Sequence, residues 1–196
     1  GMLSQKYDGV TSPRLVFFSP IAHEDLKNQN LPDGSANNQK LAIYTQAMRD
    51  ICKAQGVLFV DLFTPTQKLC ATADKPLTMN GIHLLDHGDR AVANVIVKDL
   101  FGVTKIDKDE KEIERLRQAV LDKNYHWFSR YRVVDGYNVF GGRSKLAWFG
   151  QSNADVMMRE MEILDVMTAN RDERIWAVAL GGDLTVSDSH LPDQVA

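Results

Sequence analysis

Two short apolar runs decide the fold: Arg14-Leu15-Val16-Phe17-Phe18-Ser19-Pro20, and Val57-Leu58-Phe59-Val60-Asp61-Leu62-Phe63. Runs without polar alternation suit strands covered on both faces, the usual condition of parallel sheets. Between them Ser35 offers a helix cap, and Leu41, Tyr44, Met48 and Ile51 recur every three or four residues over 36–55, which predicts one buried stripe. Gly56 closes that helix, because glycine enters the left-handed conformation at little cost. Strand, helix, glycine and strand make a βαβ unit with parallel pairing through a right-handed crossover. The polar stretch 21–35 carries the turn signal Pro32-Asp33-Gly34. It is a loop at the C-terminal end of the first strand, where open α/β sheets hold their ligands.

Beyond Thr64-Pro65 the pattern is irregular as far as Lys75-Pro76, and Leu77–Leu84 (LTMNGIHL) reads as a loop with glycine at its centre. Asp86 is expected to cap a helix from His87 to about Leu100 that buries Val92, Val95, Ile96 and Leu100 and stops at Gly102. The character then changes. Residues 107–132 form a charged amphipathic helix with Ile113, Leu116, Val120, Trp127 and Tyr131 near one face. Residues 133–150, rich in glycine and aromatics, read as ordered loop or short hairpin. A helix follows from Asn153 to Asn170 and continues to Leu180, with Met157, Met158, Met161 and Met167 as core filler. The expected organisation is an α/β part over 2–102, a helical extension packed on it over 103–180, and an extended tail over 181–196.

The 196 residues are 44% hydrophobic and 25% charged, with a net charge of -3. That balance argues against nucleic acid as a partner, since such proteins concentrate basic surface. No apolar run reaches the roughly 20 residues of a membrane span, so no membrane is assigned, and no signal peptide opens the chain. Cys52 and Cys70 are too few for a disulfide framework or a zinc site, and Cys52, inside a helical apolar pattern, reads as a plain buried thiol. Gly1 ahead of Met2 reads as the remnant of a cleaved tag. A domain seldom opens on a strand buried on both faces, so sequence upstream is expected.

Chemistry concentrates in Asn80-Gly81-Ile82-His83-Leu84. A histidine on a glycine-hinged loop at the edge of a parallel sheet is well placed for general-base work. Ser19 and His23, at the end of the first strand, are weaker candidates for shaping a substrate pocket. His83 and His87 have the four-residue spacing of helical metal ligands, but no third ligand falls in register, so no metal or cofactor is assigned. Ser144, after Gly141-Gly142-Arg143, lacks the strand-to-helix context of a nucleophile elbow.

The order of these pieces, RLVFFSP, the helix from Ala36, VLFVDLF and then LTMNGIHLLDHGDRAVANVIVKDLFG, resembles the C-terminal half of the SGNH, or GDSL-like, hydrolases over residues 14–102. KNYHWFSRYRVVDGYNVFGGR and LDVMTANRDERIWAVA look similar to a helical appendage of some large multidomain members. The resemblance implies an α/β fold, the C-terminal part of a flavodoxin-like three-layer SGNH hydrolase with additional C-terminal helices. It also implies hydrolysis of an ester substrate without a cofactor, in an extracellular or periplasmic setting. By the same resemblance His83 is the catalytic base that takes the proton of a serine nucleophile, and Asn80 stands where the family has Asp. An Asp fixes the imidazole tautomer and stabilises the imidazolium, whereas an Asn orients without charge. A backbone carbonyl or the carboxylate of Asp86 is the other candidate for that role.

A second departure is larger. The family's Gly-Asp-Ser block and its oxyanion glycine and asparagine precede the matching strand, and no Gly-Asp-Ser tripeptide occurs in this sequence; Gly182-Asp183-Leu184 is the nearest look-alike. The expectation is therefore a fragment that carries the base, lacks the nucleophile and is inactive alone. The alternative is a non-catalytic interaction module whose appendage packs on other domains of a parent protein. Either way the outer edge of the Leu15–Phe18 strand has lost its neighbour, which predicts a homodimer across that edge.

Overall fold

The computed structural model describes residues 1–104, 108–132 and 135–192. The chain divides into two compact units, Gly1–Ile106 and Asp107–Ala196. Its architecture is mixed α/β, dominated by helix, with one small parallel sheet.

In the first unit β1 (Val16–Phe18) and β2 (Leu58–Val60) pair in parallel, Val16 against Leu58, Phe17 against Phe59 and Phe18 against Val60. The crossover is α1 (Ser35–Gln55), closed by Gly56 at φ +63°. Both strands are shorter than the apolar runs that predict them. Phe17 and Phe18, expected under cover on both faces, are 42% and 40% exposed. The physical reason is that β1 pairs with β2 alone among the described residues, and a sheet of two strands leaves apolar surface open. An apolar groove of about 750 Å³ lies beside it, with Leu15, Phe17, Met48 and Ile51 among its walls.

Helix starts also differ from expectation. Ser35 is the first helical residue rather than the cap; Gly34, at φ +76°, holds the cap position, and the Asp33 carboxylate accepts from the Ser35 N–H and hydroxyl, both at 2.9 Å. The face that α1 buries carries Thr45 and Cys52, while Tyr44 and Ile51 of the expected stripe stand 64% and 62% exposed. The stretch expected to be irregular forms α2 (Phe63–Thr72). Pro65 falls in its first turn, where no intrahelical N–H is required. The Thr66 hydroxyl ties that turn back to Leu62 O at 2.6 Å and accepts from Ala22 N at 2.8 Å. α3 (Asp86–Phe101) begins at Asp86 itself, after an extended Leu85, with no side-chain cap, and ends at Gly102. It closes the core: Val60, Leu62 and Val92 are buried together, with Val16, Ile21, Leu84, Val95, Ile96 and Leu100 packed around them.

The second unit is built on α4 (Glu110–Tyr131) and α6 (Asn153–Ala179). Asp109 and Glu112 form a reciprocal capping box at the start of α4. The buried residues of α4 are Ala119 and His126, whereas Ile113, Trp127 and Tyr131 of the expected apolar face are 37%, 47% and 56% exposed. Asp122 lies 3.2 Å from the Arg171 guanidinium and 3.5 Å from Arg174, Lys123 lies 2.5 Å from Asp172 and Arg130 lies 2.9 Å from Asp165, so a polar seam joins the two helices. Met161 of the methionine series is buried, whereas Met158 is 44% exposed.

Between the helices come α5 (Gly136–Val139) and a minimal hairpin of β3 (Ala147–Trp148) and β4 (Gln151–Ser152). Trp148 pairs with Gln151 over a turn in which Phe149 and Gly150 both have positive φ, the signature of a type I′ turn. α6 runs unbroken for 27 residues. Of the expected tail, 181–192 hold no helix or strand and Asp188 is clasped by Arg171 and Asn170, while 193–196, like 133–134 of the expected loop, lie outside the described residues. No helix among the described residues is long and apolar enough to cross a membrane.

Candidate functional site

Two segments of the first unit meet at the site. One is Ser19–Glu24, which leaves the C-terminal end of β1; the other is the loop Leu77–Leu84. The Glu24 N–H donates to Gly81 O at 2.9 Å and so joins them directly.

The loop is a narrow, self-bonded turn. Leu85 N donates to Leu77 O at 2.8 Å and Met79 N to His83 O at 2.9 Å, with a single antiparallel bridge between Thr78 and Leu84. Buried Leu77 and the core contact of Leu84 pin its two ends, and Gly88 of α3 is so close that a β-carbon there would lie 2.2 Å from Leu77 O. At the tip His83 is exposed and Asn80 is half-buried.

Asn80 does what the spacing of three residues suggests. Its Oδ1 accepts from His83 N at 3.1 Å and lies 3.0 Å from the His83 Nδ1. The backbone N–H groups of His83 and Ile82 can only donate, so the amide atom facing them is the oxygen and not the nitrogen. An acceptor at Nδ1 selects the Nδ1–H tautomer and leaves the Nε2 lone pair outward, the state that a proton acceptor needs. Asp86, the other candidate, pairs with Arg90 at 3.4 Å and is 71% exposed.

Ser19 requires a correction. It is 3% exposed, and its hydroxyl accepts from Leu62 N at 2.8 Å and Phe63 N at 2.9 Å while donating to Pro20 O at 3.1 Å. One donor and two lone pairs are thereby used, so Ser19 fastens the exit of β1 to the β2–α2 junction and has nothing left for a substrate. His23 is also buried. Its backbone exchanges two bonds of 2.8 Å with the Asn38 amide, and its Nδ1 lies 3.0 Å from the Asn37 side chain. Its ring is gripped between two glycines: a β-carbon at Gly34 would lie 2.7 Å from the ring, and one at Gly81 would lie 2.5 Å from Nε2. Nε2 itself is buried without a hydrogen-bond partner. The other side of His23 contributes to a surface depression of about 520 Å³ with Ile21, Leu41, Tyr44, Ile82 and Lys40.

Sequence reasoning misses Glu24. Only 5% exposed, its carboxylate accepts from Leu77 N at 3.0 Å, Thr78 N at 2.8 Å and the Thr78 hydroxyl at 2.6 Å. The Thr78 hydroxyl in turn accepts from Gly81 N at 3.0 Å. Nothing in the sequence marks a glutamate as the partner of amides 53 and 54 positions away; a charged residue in an otherwise polar loop is the most ordinary of signals. Nearby, burial and then the Glu24 charge push the Cys70 thiol up to about 11. Among the described residues no cluster of three or more His, Cys, Asp or Glu side chains is arranged to hold a metal, and the His87 Nε2 lies 2.8 Å from Pro76 O. Comparison with protein-family models, with curated proteins and with solved structures finds no match to this chain.

Proposed function

We propose that the first unit is the base-bearing part of an SGNH-type ester hydrolase, with β1 and β2 belonging to a larger flavodoxin-like three-layer sheet. The single observation behind this reading is the 3.0 Å approach of Asn80 Oδ1 to His83 Nδ1 on an exposed loop. In the proposed reaction His83 Nε2 takes the proton of a serine hydroxyl as that oxygen attacks the ester carbonyl. The resulting imidazolium returns the proton to the departing alcohol, and water releases the acyl group by the same steps. In this reading the serine of a Gly-Asp-Ser block and the oxyanion glycine and asparagine of two later blocks come from outside these 196 residues. The apolar depression with Ile82 and Tyr44 on its walls lies beside the loop and suits the acyl or alcohol portion of the ester.

Asn80 supports the reading better than its lack of charge suggests. Replacing a triad Asp by Asn costs about 10⁴ in kcat in a serine protease because the wrong tautomer results. Here the two backbone donors keep the oxygen, rather than the amide nitrogen, toward the ring. A carboxylate would still add the charge that steadies the imidazolium.

The test is ester hydrolysis by the parent gene product. A product with an upstream Gly-Asp-Ser block should hydrolyse p-nitrophenyl acetate, and His83→Ala should lower kcat at least about 10³-fold. A parent without that block would overturn the hydrolase reading in favour of an interaction module, and an active parent indifferent to His83→Ala would overturn the assignment of His83 as its base. The neutral Asn80 and the exposed Phe17, Phe18 and Leu58 of the sheet are what favour that second reading.

A further inference from the structure

A glutamate buried without a cation partner, and bonded only to loop donors, is expensive to hold unless the loop geometry depends on it. Among the described residues Glu24 is such a group. Its two carboxylate oxygens gather Leu77 N, Thr78 N and the Thr78 hydroxyl, and that hydroxyl passes the constraint to Gly81 N. Its own N–H holds Gly81 O, so the peptide groups on both sides of the Gly81 α-carbon are tied to Glu24, one directly and one through Thr78. His23, the preceding residue, presses on the same α-carbon. Gly81 is the residue after Asn80, and its φ of +93° sets the direction from which the Asn80 side chain reaches back to His83.

We infer that Glu24 is a positioning residue for His83: through Thr78 and Gly81 it holds Asn80 Oδ1 against the imidazole and thereby fixes the ring in the Nδ1–H tautomer. The inference rests on the reading of His83 as a base, but its readout is the ring itself and needs no hydrolysis. An exposed histidine on an unconstrained loop has no reason to keep its proton on Nδ1. The carboxylate is well suited to the task because it accepts several donors at once, and a hydroxyl relay can accept and donate together.

The experiment is long-range ¹H–¹⁵N spectroscopy of the imidazole nitrogens in the uniformly labelled 196-residue chain, above the pH at which the ring is charged, with the His83 signals identified by their loss in His83→Gln. The expected native pattern has the proton on Nδ1. Glu24→Gln and Thr78→Val should shift the His83 population toward Nε2–H, and Thr78→Ser should restore the native pattern because it keeps the hydroxyl. Val60→Ala, which weakens the core without touching the loop, should leave the pattern native. That control separates positioning from general loss of stability. If Glu24→Gln does not fold, the Thr78 pair carries the test alone. A native pattern in Glu24→Gln or Thr78→Val, or failure of Thr78→Ser to restore it, would overturn the inference while leaving the reading of His83 in place. An Nε2–H pattern in the unaltered chain would instead remove the tautomer argument on which that reading rests.

Discussion

The α-carbon of Gly81 rests on the imidazole of His23, so closely that a β-carbon would sit 2.5 Å from Nε2. Gly81→Ala therefore incurs two costs, about 1 kcal/mol for a left-handed alanine and about 1–3 kcal/mol for overpacking. Gly56 is also left-handed, at φ +63°, but has open space where a β-carbon would go, so Gly56→Ala should cost about 1 kcal/mol with no overpacking. Urea unfolding followed by far-UV circular dichroism compares the two. Equal costs at 81 and 56 would mean that the His23 contact is not tight.

A second expectation concerns activity. With no Gly-Asp-Ser tripeptide in its sequence, this chain alone should show no turnover of p-nitrophenyl acetate above background. Turnover that disappears in His83→Ala would identify another serine as the nucleophile and contradict the proposal that it comes from elsewhere.

Thiol chemistry offers a third. With Cys70 pushed up to about 11, only about one molecule in a thousand is thiolate at pH 8, against about one in four for a free cysteine. Alkylation of Cys70 by iodoacetamide in the native chain should be on the order of 10² slower than that of a free thiol. Burial is the first cause and Glu24 the second, so Glu24→Gln should speed the reaction in part. Mass spectrometry of the Cys70 peptide measures it, and a native rate near that of free cysteine would contradict both causes.

The tail gives a pH dependence. Hydrogen bonds from Arg171 and then Asn170 outweigh the opposing effect of burial and hold the Asp188 carboxyl below the usual range. A depressed value means that the ionised form is favoured on folding. The stabilisation is therefore complete above the ordinary carboxylate pKa near 4 and disappears as pH falls through the lower folded value. Acid should release residues 184–188 to proteases before α4 and α6 melt, as tryptophan fluorescence reports. Asp188→Asn should remove that acid step and leave the tail loose at pH 7. Equal protection of the tail at pH 7 and at the lowest pH at which α4 and α6 stay folded would refute the clasp.

The open edge of β1 gives the last. We propose that two copies pair their Leu15–Phe18 segments antiparallel across a two-fold axis, which satisfies both edges at once. Light scattering at micromolar concentration should report a dimer, and Phe17→Asp should shift it toward monomer. A monomeric native chain would exclude the arrangement.

Much of the α/β part is legible from period and punctuation. Parallel pairing of 16–18 with 58–60, the crossover helix and the stops at Gly56 and Gly102 all follow from local chemistry. The start of a helix is less legible, because Ser35 and Asp86 are good caps that the chain uses one place further in, and Pro65 hides a helix that it merely opens. Faces are least legible where neighbours decide them. Tyr44 and Ile51 point to solvent although their spacing is that of a buried stripe, and α4 buries Ala119 and His126 while Trp127 of the expected face stays exposed. At the site, Asn80 and His83 are adjacent enough to read as a pair. Glu24 is invisible because its partners are chosen by the tertiary fold.

The Glu24 connection has a consequence for protein engineering. Leu77–Leu84 looks like a portable eight-residue cassette, yet its shape is dictated by donors facing a carboxylate more than fifty positions upstream. Grafted onto a foreign scaffold by itself, the cassette would leave the Leu77 and Thr78 amides and the Gly81 carbonyl to find other partners, and the presentation of its histidine would be lost. The smallest transferable piece is discontinuous: 19–24 with its glycine-flanked His23, together with 77–84, mounted on a strand exit and a helix start at matching separation.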